Sequence, residues 1–193
     1  MPLHVETTPC PALWNSSCTS TIYRQVTLDS LPELNSIAMK TATKDTADST
    51  EKKLTQLLAD TYALLGQTQF AHWNVQGPAF FSLHTFLQTQ YEELFLAVDE
   101  IAERLRALDV IAPGGLKTLA ALSAISELEV RAHTAKDLVA HLLGAHEVLV
   151  ETAKKLRDLA ENSGDAETQD LAIKRVQIHE KTLWMLRAFL KTI

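Results

Sequence analysis

Two histidines lie on either side of a Gly-Pro turn in the segment FAHWNVQGPAFFSLH, which runs from Phe70 to His84. His72 precedes the turn and His84 follows it, and a neutral imidazole nitrogen is the commonest metal ligand among protein side chains. Trp73, next to His72, can donate an electron to an oxidant formed nearby. A single histidine or tryptophan is usually a surface or packing residue, so this group indicates a metal centre only if further ligands join it.

Two carboxylates further along the chain are candidates for those ligands. Asp99 and Glu103 are one turn apart in a predicted helix. At about 100° per residue they lie roughly 140° to 180° from the centre of its apolar stripe, on the same side as Phe81 and Leu96. A solvated face is the ordinary explanation for such a carboxylate pair. The apolar neighbours favour a surface that another subunit covers. The stripe itself consists of Leu83, Leu87, Tyr91, Leu94, Val98, Ile101, Leu105 and Leu108.

The distance between these groups limits how they can meet. His84 and Asp99 are fifteen residues apart, which is about 22 Å along a helix. If the histidines and carboxylates share a metal, one chain cannot supply all four ligands to one site. Two chains related by a two-fold axis can, because each gives its histidines to one site and its carboxylates to the other. Nitrogen and oxygen ligands together suit a first-row metal such as iron, with positions left for water or an oxidant.

The elements that carry these residues are predicted to be helices. Leucines at spacings of three and four predict helices over about 50–74, 80–108, 133–161 and 166–190, with Ser49 or Thr50 capping the first. A short apolar piece, LKTLAALSAI, lies between the second and third, and NSGD separates the last two. The predicted fold is therefore all-α: a four-helix bundle with a short helix in the connection between helices two and three.

The first quarter of the chain has a different composition. Residues 1–48 are rich in Ser, Thr and Pro, and we expect a disordered extension there and a folded domain over 49–193. The segment beginning at Met39 has the character of a native start, so we interpret residues 1–38 as an upstream extension. Both cysteines, Cys10 and Cys18, precede the domain, so neither a disulfide framework nor a thiolate metal site holds the core. No secretory signal or membrane-length apolar run is present, and a cytoplasmic location is expected.

One common type of bundle metal site is excluded. Di-iron centres inside helix bundles use a Glu-x-x-His motif on two of the helices. None of the six histidines after residue 48 has an acidic residue three positions before it; those positions hold Gln69, Phe81, Val130, Leu138, Leu143 and Val176. This pattern counts against a large ferritin, a bacterioferritin or a manganese catalase.

The run AHWNVQGPAFFSLHTFLQTQYEELFLAVDEIAERLRALD, Ala71 to Asp109, resembles the signature of the Dps family, the bacterial mini-ferritins. The likeness covers His-Trp-Asn, the following glycine, the second histidine and the VDEIAER segment in register, and the helix layout extends it over residues 50–193. The resemblance implies a ferritin-like bundle that assembles into a hollow dodecamer. Such a shell oxidises Fe(II) with hydrogen peroxide, stores the ferric mineral and protects DNA from oxidative damage.

The resemblance also assigns residues. His72 and His84 match the ferroxidase histidines, Asp99 and Glu103 match the carboxylates supplied by the two-fold-related subunit, and Trp73 matches the tryptophan beside the centre. Gln88 departs from the pattern, because many members carry an aspartate there that helps to hold a second iron. An amide is the weaker ligand for a hard cation, so occupancy of that second position is in question.

Acidic residues near the junction of the third and fourth helices match the region where family shells have pores that admit iron. An ordinary solvated loop explains them equally well. They are Glu161, Asp165, Glu167 and Asp170.

Two other functions stay open. A nucleoid-associated shell that binds DNA with little turnover would need clustered cations. The Lys and Arg residues before Glu51 are Arg24, Lys40 and Lys44 alone, and the formal charge of the whole chain is −6. The given sequence ends at LKTI. Direct DNA binding is therefore predicted to be weak or absent. A simple interaction bundle would form a monomer or small oligomer and retain no iron.

Overall fold

A computed structural model describes residues 49–191, and these residues form five helices and no strand. The helices are α1 (Thr50–Asn74), α2 (Phe80–Ala107), α3 (Leu116–Leu122), α4 (Ala135–Ser163) and α5 (Ala166–Leu190). The predicted all-α fold, with a short helix between the second and third long helices, is confirmed. The extension predicted for residues 1–48 lies outside the described residues. No helix in the described part is long and apolar enough to cross a membrane.

The helix ends follow from local capping chemistry. The Ser49 hydroxyl accepts a hydrogen bond from the Lys52 N–H at 3.2 Å and starts α1. Thr134 and Asp137 form a reciprocal capping box, and this is why α4 begins at Ala135, two residues later than the predicted His133. Gly164 ends α4 with a φ of 73°, a left-handed conformation that glycine adopts without strain.

The core is formed by the leucine faces that the sequence pattern predicts. α1 packs against α2 and α4, and α4 packs against α5, so two antiparallel hairpins share one apolar interior. All the leucines predicted to face inward from α1 and α4 are buried, and so are most of the α2 stripe: Leu54, Leu57, Leu58, Leu64, Leu65, Leu83, Leu87, Leu94, Ile101, Leu105, Leu138, Leu142, Leu149 and Leu156.

One buried carboxylate fastens the long connection between the two hairpins. Asp60, on α1, has no exposed surface. It accepts hydrogen bonds from the Ser123 hydroxyl at 2.9 Å, the Ala124 N–H at 2.7 Å and the Thr152 hydroxyl at 2.9 Å. Because a buried carboxylate is costly unless its oxygens are satisfied, these contacts fix the connection against α1 and α4.

A second polar cluster lies between α2, α4 and α5. Arg175, which is fully buried, donates to both oxygens of Glu93 at 2.5 and 2.9 Å and to Nε2 of His179 at 3.0 Å. Since a guanidinium only donates, His179 carries its proton on Nδ1, and that N–H donates to Nδ1 of His146 at 2.9 Å. Burial, with a further contribution from Arg175, lowers the pKa of His146 to about 3. Burial and the neighbouring His146 and Arg175 hold the pKa of His179 well below its usual value. Both rings are therefore neutral at ordinary pH.

Candidate metal centre

The turn between α1 and α2 brings the two predicted histidines together. Gly77 adopts a φ of 101°, which a side chain would strain. The Phe80 N–H donates to the Gly77 carbonyl at 3.0 Å and closes the turn. α2 consequently folds back along α1, and the rings of His72 and His84 stack with their centroids 3.7 Å apart and their planes 18° from parallel.

Reciprocal hydrogen bonds show that Nδ1 carries a proton in both rings of this pair. Nδ1 of His72 lies 2.9 Å from the carbonyl oxygen of His84, and Nδ1 of His84 lies 2.8 Å from the carbonyl oxygen of His72. A carbonyl can only accept, so each ring carries a proton on Nδ1. In the neutral rings Nε2 is then the unprotonated nitrogen on both, and a lone pair there is what a metal ligand requires.

Two aromatic side chains hold the histidine rings in place. Phe80 stacks on His84 with ring centroids 4.9 Å apart, and Tyr91 meets His72 edge to face at 5.1 Å. His72 is only 8% exposed and His84 is half-buried. The pair is therefore a preorganised unit with little freedom to reorient.

The two predicted carboxylates lie on the outer surface of α2. Asp99 and Glu103 are both exposed, as the helical wheel predicts, and Phe81 and Leu96 on the same face are 83% and 69% exposed. Within residues 49–191 neither carboxylate forms a hydrogen bond or ion pair. Across the same residues, no group of three His, Cys, Asp or Glu side chains lies close enough to hold a metal ion. A single chain thus brings the two histidines together and leaves both carboxylates apart from them.

Trp73 and Gln88 flank the histidine pair. Trp73 follows His72 in the last turn of α1, and its side chain is 69% exposed. Gln88 is one turn beyond His84 on α2, and its amide nitrogen donates to Oε1 of Glu92 at 2.8 Å.

The four acidic residues predicted to line a pore differ in their surroundings. Glu161, Glu167 and Asp170 are exposed. Asp165 instead caps α5 through the Thr168 N–H at 3.0 Å and pairs with Arg104 at 2.6 Å. Partial burial raises the pKa of Asp165, but the hydrogen bonds from Thr168 and the charge of Arg104 outweigh it, and the pKa lies below its usual value. Asp165 is therefore ionised, and the positive charge of Arg104 compensates its negative charge within the chain.

The chain shares its fold and much of its sequence with known proteins. Residues 51–193 match the model of the ferritin-like domain. An uncharacterized low temperature-induced protein of Nostoc is 37% identical over 142 residues, 72% of this chain and 78% of the relative. A Bacillus anthracis protein named DNA protection during starvation protein 2 is 35% identical over 137 residues, 71% of this chain and 93% of the relative.

Solved structures agree with these matches. Dps from Listeria monocytogenes superposes with a TM-score of 0.74 at 27% identity and covers 77% of this chain and 97% of its own. Dps from Vibrio cholerae, described as a member of a broad superfamily of ferritin-like diiron-carboxylate proteins, has a TM-score of 0.70 at 28% identity, covering 73% and 88%. A Listeria innocua Dps mutant in which two histidines twelve positions apart are replaced by glycine has a TM-score of 0.73 at 26% identity, covering 76% and 97%. The chain belongs to the ferritin-like family, and within it to the Dps proteins.

Proposed function

We propose that this protein is a ferroxidase and iron store that works at a centre shared between two subunits. The observation that supports this most directly is the stacked pair of His72 and His84, whose Nδ1 protons are both held by backbone carbonyls. This arrangement leaves two Nε2 lone pairs side by side on one chain. Fe(II) is the substrate, and the remaining ligands are Asp99 and Glu103 of a two-fold-related subunit.

The exposed face of α2 is suited to that pairing. Asp99 and Glu103 have no partner among the described residues, and the apolar side chains of Phe81 and Leu96 beside them are largely open to solvent. Two copies of α2 that cross in opposite directions place the carboxylate end of one helix beside the histidine end of the other. Covering the apolar residues would stabilise the same contact.

The chemistry requires a two-electron oxidant and two one-electron donors. Hydrogen peroxide accepts one electron from each of two Fe(II) ions, its O–O bond breaks, and the two oxygen atoms leave as water after taking up two protons. Both irons become Fe(III), and no hydroxyl radical is released. Trp73, exposed beside His72, would supply an electron when only one Fe(II) is bound and so intercept a radical formed there.

Assembly and storage complete the proposal. Twelve chains form a hollow shell in which the ferric mineral collects, and Fe(II) passes through pores at the junction of α4 and α5. Three exposed carboxylates there would attract the cation: Glu161, Glu167 and Asp170. Asp165 would attract it less, because it is already paired with Arg104. By removing Fe(II) and peroxide together, the shell protects DNA from oxidative damage.

The related proteins support the iron chemistry. The name of the Bacillus anthracis relative refers to DNA protection during starvation, and the Vibrio cholerae protein is described as belonging to the diiron-carboxylate proteins. The two histidines replaced in the Listeria innocua mutant have the same separation as His72 and His84. We propose that direct DNA binding is weak or absent, because the sequence has no clustered cations before Glu51.

The double variant His72→Gly and His84→Gly tests the proposal. The purified protein is loaded with Fe(II) without oxygen, treated with peroxide and separated by size exclusion. The wild type is expected to retain many irons per chain in a shell-sized peak, while the variant forms the same peak but oxidises Fe(II) slowly. Equal initial rates for the two proteins would refute the assignment. A variant of His133, which lies outside the centre, is the matched control.

A further inference from the structure

The interior of the bundle contains a guanidinium in a region where ferritin-like bundles can hold metal ions. Di-iron centres in bundle cores are built from Glu and Glu-x-x-His on facing helices. In this chain Glu93 on α2, His146 on α4 and His179 on α5 lie near the middle of their helices. Between the carboxylate of Glu93 and the ring of His179 lies the side chain of Arg175. These residues do not fit a di-iron centre, and the cation that they surround belongs to the chain itself.

The acceptors around Arg175 converge on one of its nitrogens. Nη2 lies 2.9 Å from Oε2 of Glu93 and 3.0 Å from Nε2 of His179, so a carboxylate oxygen and an imidazole lone pair face the same point. Nη1 contacts the other oxygen of Glu93 at 2.5 Å. Nε of Arg175 is buried and has no hydrogen-bond partner among residues 49–191. The acceptors are therefore arranged around one position, as for a compact cation, and leave part of the guanidinium unsatisfied.

His179 has the orientation that a metal-binding histidine requires. Its Nδ1–H donates to Nδ1 of His146 at 2.9 Å, which leaves Nε2 unprotonated and directed at the guanidinium. Histidines that bind metals almost always donate their other ring N–H to a neighbouring acceptor, which fixes the tautomer and the ring. His146 and His179 are only 2% and 1% exposed. The side chain of Glu93 is 35% exposed, so an ion in solvent can reach its carboxylate.

We propose that Glu93 and His179 form a transition-metal site whose metal position is filled by Arg175, which keeps Fe(II) out of the bundle. A metal ion at the position of Nη2 needs donor atoms at about 2.0 to 2.2 Å. Because both donors already lie within 3.0 Å of Nη2, each would move by less than about 1 Å to bind it.

Exclusion of Fe(II) from this position has a chemical consequence, which rests on the proposed function. A lone Fe(II) would give peroxide a single electron. The O–O bond would then break into hydroxide and a hydroxyl radical, and the iron would become Fe(III). With Arg175 in place, oxidation is confined to the shared centre, where two Fe(II) ions supply both electrons that peroxide needs.

Removing the guanidinium from a protein that lacks the shared centre tests the site. Arg175→Ala is added to the His72→Gly, His84→Gly variant, and Co²⁺ is titrated without oxygen while calorimetry and visible absorption are recorded. We expect the chain to gain a Co²⁺ site, and His179→Ala to abolish the gain. Guanidinium ion should compete with Co²⁺, because it fits the space that the side chain of Arg175 filled.

Two further variants separate a metal site from a general gain of negative charge. His146→Phe in the Arg175→Ala protein removes the acceptor that orients His179 and should weaken Co²⁺ binding about tenfold. Arg104→Ala is the matched control, because it removes an arginine paired with Asp165 and releases no imidazole. It should add no Co²⁺ site.

The proposal is wrong if Arg175→Ala gains no Co²⁺ site, or if the gain survives the loss of His179. If the variant does not fold by itself, it should fold with Co²⁺ or guanidinium ion, and failure with both would equally overturn the proposal. With the shared centre intact, Arg175→Ala given Fe(II) and peroxide should release more spin-trapped hydroxyl radical than the wild type; an equal yield would refute the role in excluding Fe(II). Failure of the proposed function is recognised separately, because the Co²⁺ titrations use protein without the His72 and His84 pair.

Discussion

Mixing two inactive variants gives a quantitative test of the shared centre. One variant carries His72→Gly and His84→Gly, and the other carries Asp99→Asn and Glu103→Gln. A pair of unlike chains contains one site that has lost every ligand and one site that keeps both histidines and both carboxylates. Random pairing makes half of all pairs mixed, so about a quarter of all sites are intact and peroxide-dependent Fe(II) oxidation should recover to about a quarter of the wild-type rate.

The assay is the initial rate of Fe(III) formation after the two variants are dissociated together, reassembled and purified as shells. Each variant treated alone gives the background. Wild type mixed with the carboxylate variant is the control for reassembly, because it should recover about half of the wild-type rate whether ligands are shared or not. If that control recovers and the mixture of inactive variants stays at background, the four ligands are not divided between chains and the reasoning from helical distance is refuted.

Three further outcomes follow from the buried contacts and the turn. Asp60→Ala should lower the free energy of unfolding by about 3 kcal/mol, measured by denaturant titration, because three donors lose their acceptor. Gly77→Ala should cost about 1 kcal/mol in the same assay, since its φ is left-handed. The folded pKa values of His146 and His179 are depressed, so the unfolded chain binds protons that the folded chain does not. Stability should therefore fall as the pH drops from about 6.5 toward 3, by up to about 2.7 kcal/mol per pH unit for the two rings together. His146→Phe should reduce that slope by about half, and an unchanged slope in urea titrations at several pH values would contradict the assignment.

The helices and their buried faces were predictable because the information is local. A leucine at every third or fourth position specifies a helix and its inward side, and Ser49 and Gly164 mark ends through contacts within one turn. The predicted limits of α1 and α5 coincide with those observed. The start of α4 was wrong by two residues because the capping box of Thr134 and Asp137 takes precedence over the apolar pattern.

The polar contacts of the interior were not predictable because they join distant parts of the chain. Arg175 and His179 are one turn apart, a hint that they share a face, but nothing in the sequence identifies Glu93, 82 residues before Arg175, as the partner of that arginine. The same holds for Asp165, which the sequence places in an acidic loop and the structure pairs with Arg104, 61 residues earlier. The mutual carbonyl bonds of His72 and His84 likewise depend on how closely the turn brings two helices together.

The acidic residues of α2 differ in whether they have a hydrogen-bond or ion-pair partner within the described part of the chain. Glu93 is bound by Arg175, Glu100 by Lys174, and Glu92 accepts from Gln88. Asp99 and Glu103 are on the same helix and have no such partner among residues 49–191. Neither the helix nor the core requires a carboxylate at these two positions, and both lie about 22 Å or more by helical rise from the histidines they would have to join. In the proposed centre, Asp99 and Glu103 would supply the negative charge that the neutral histidine pair of a symmetry-related chain lacks.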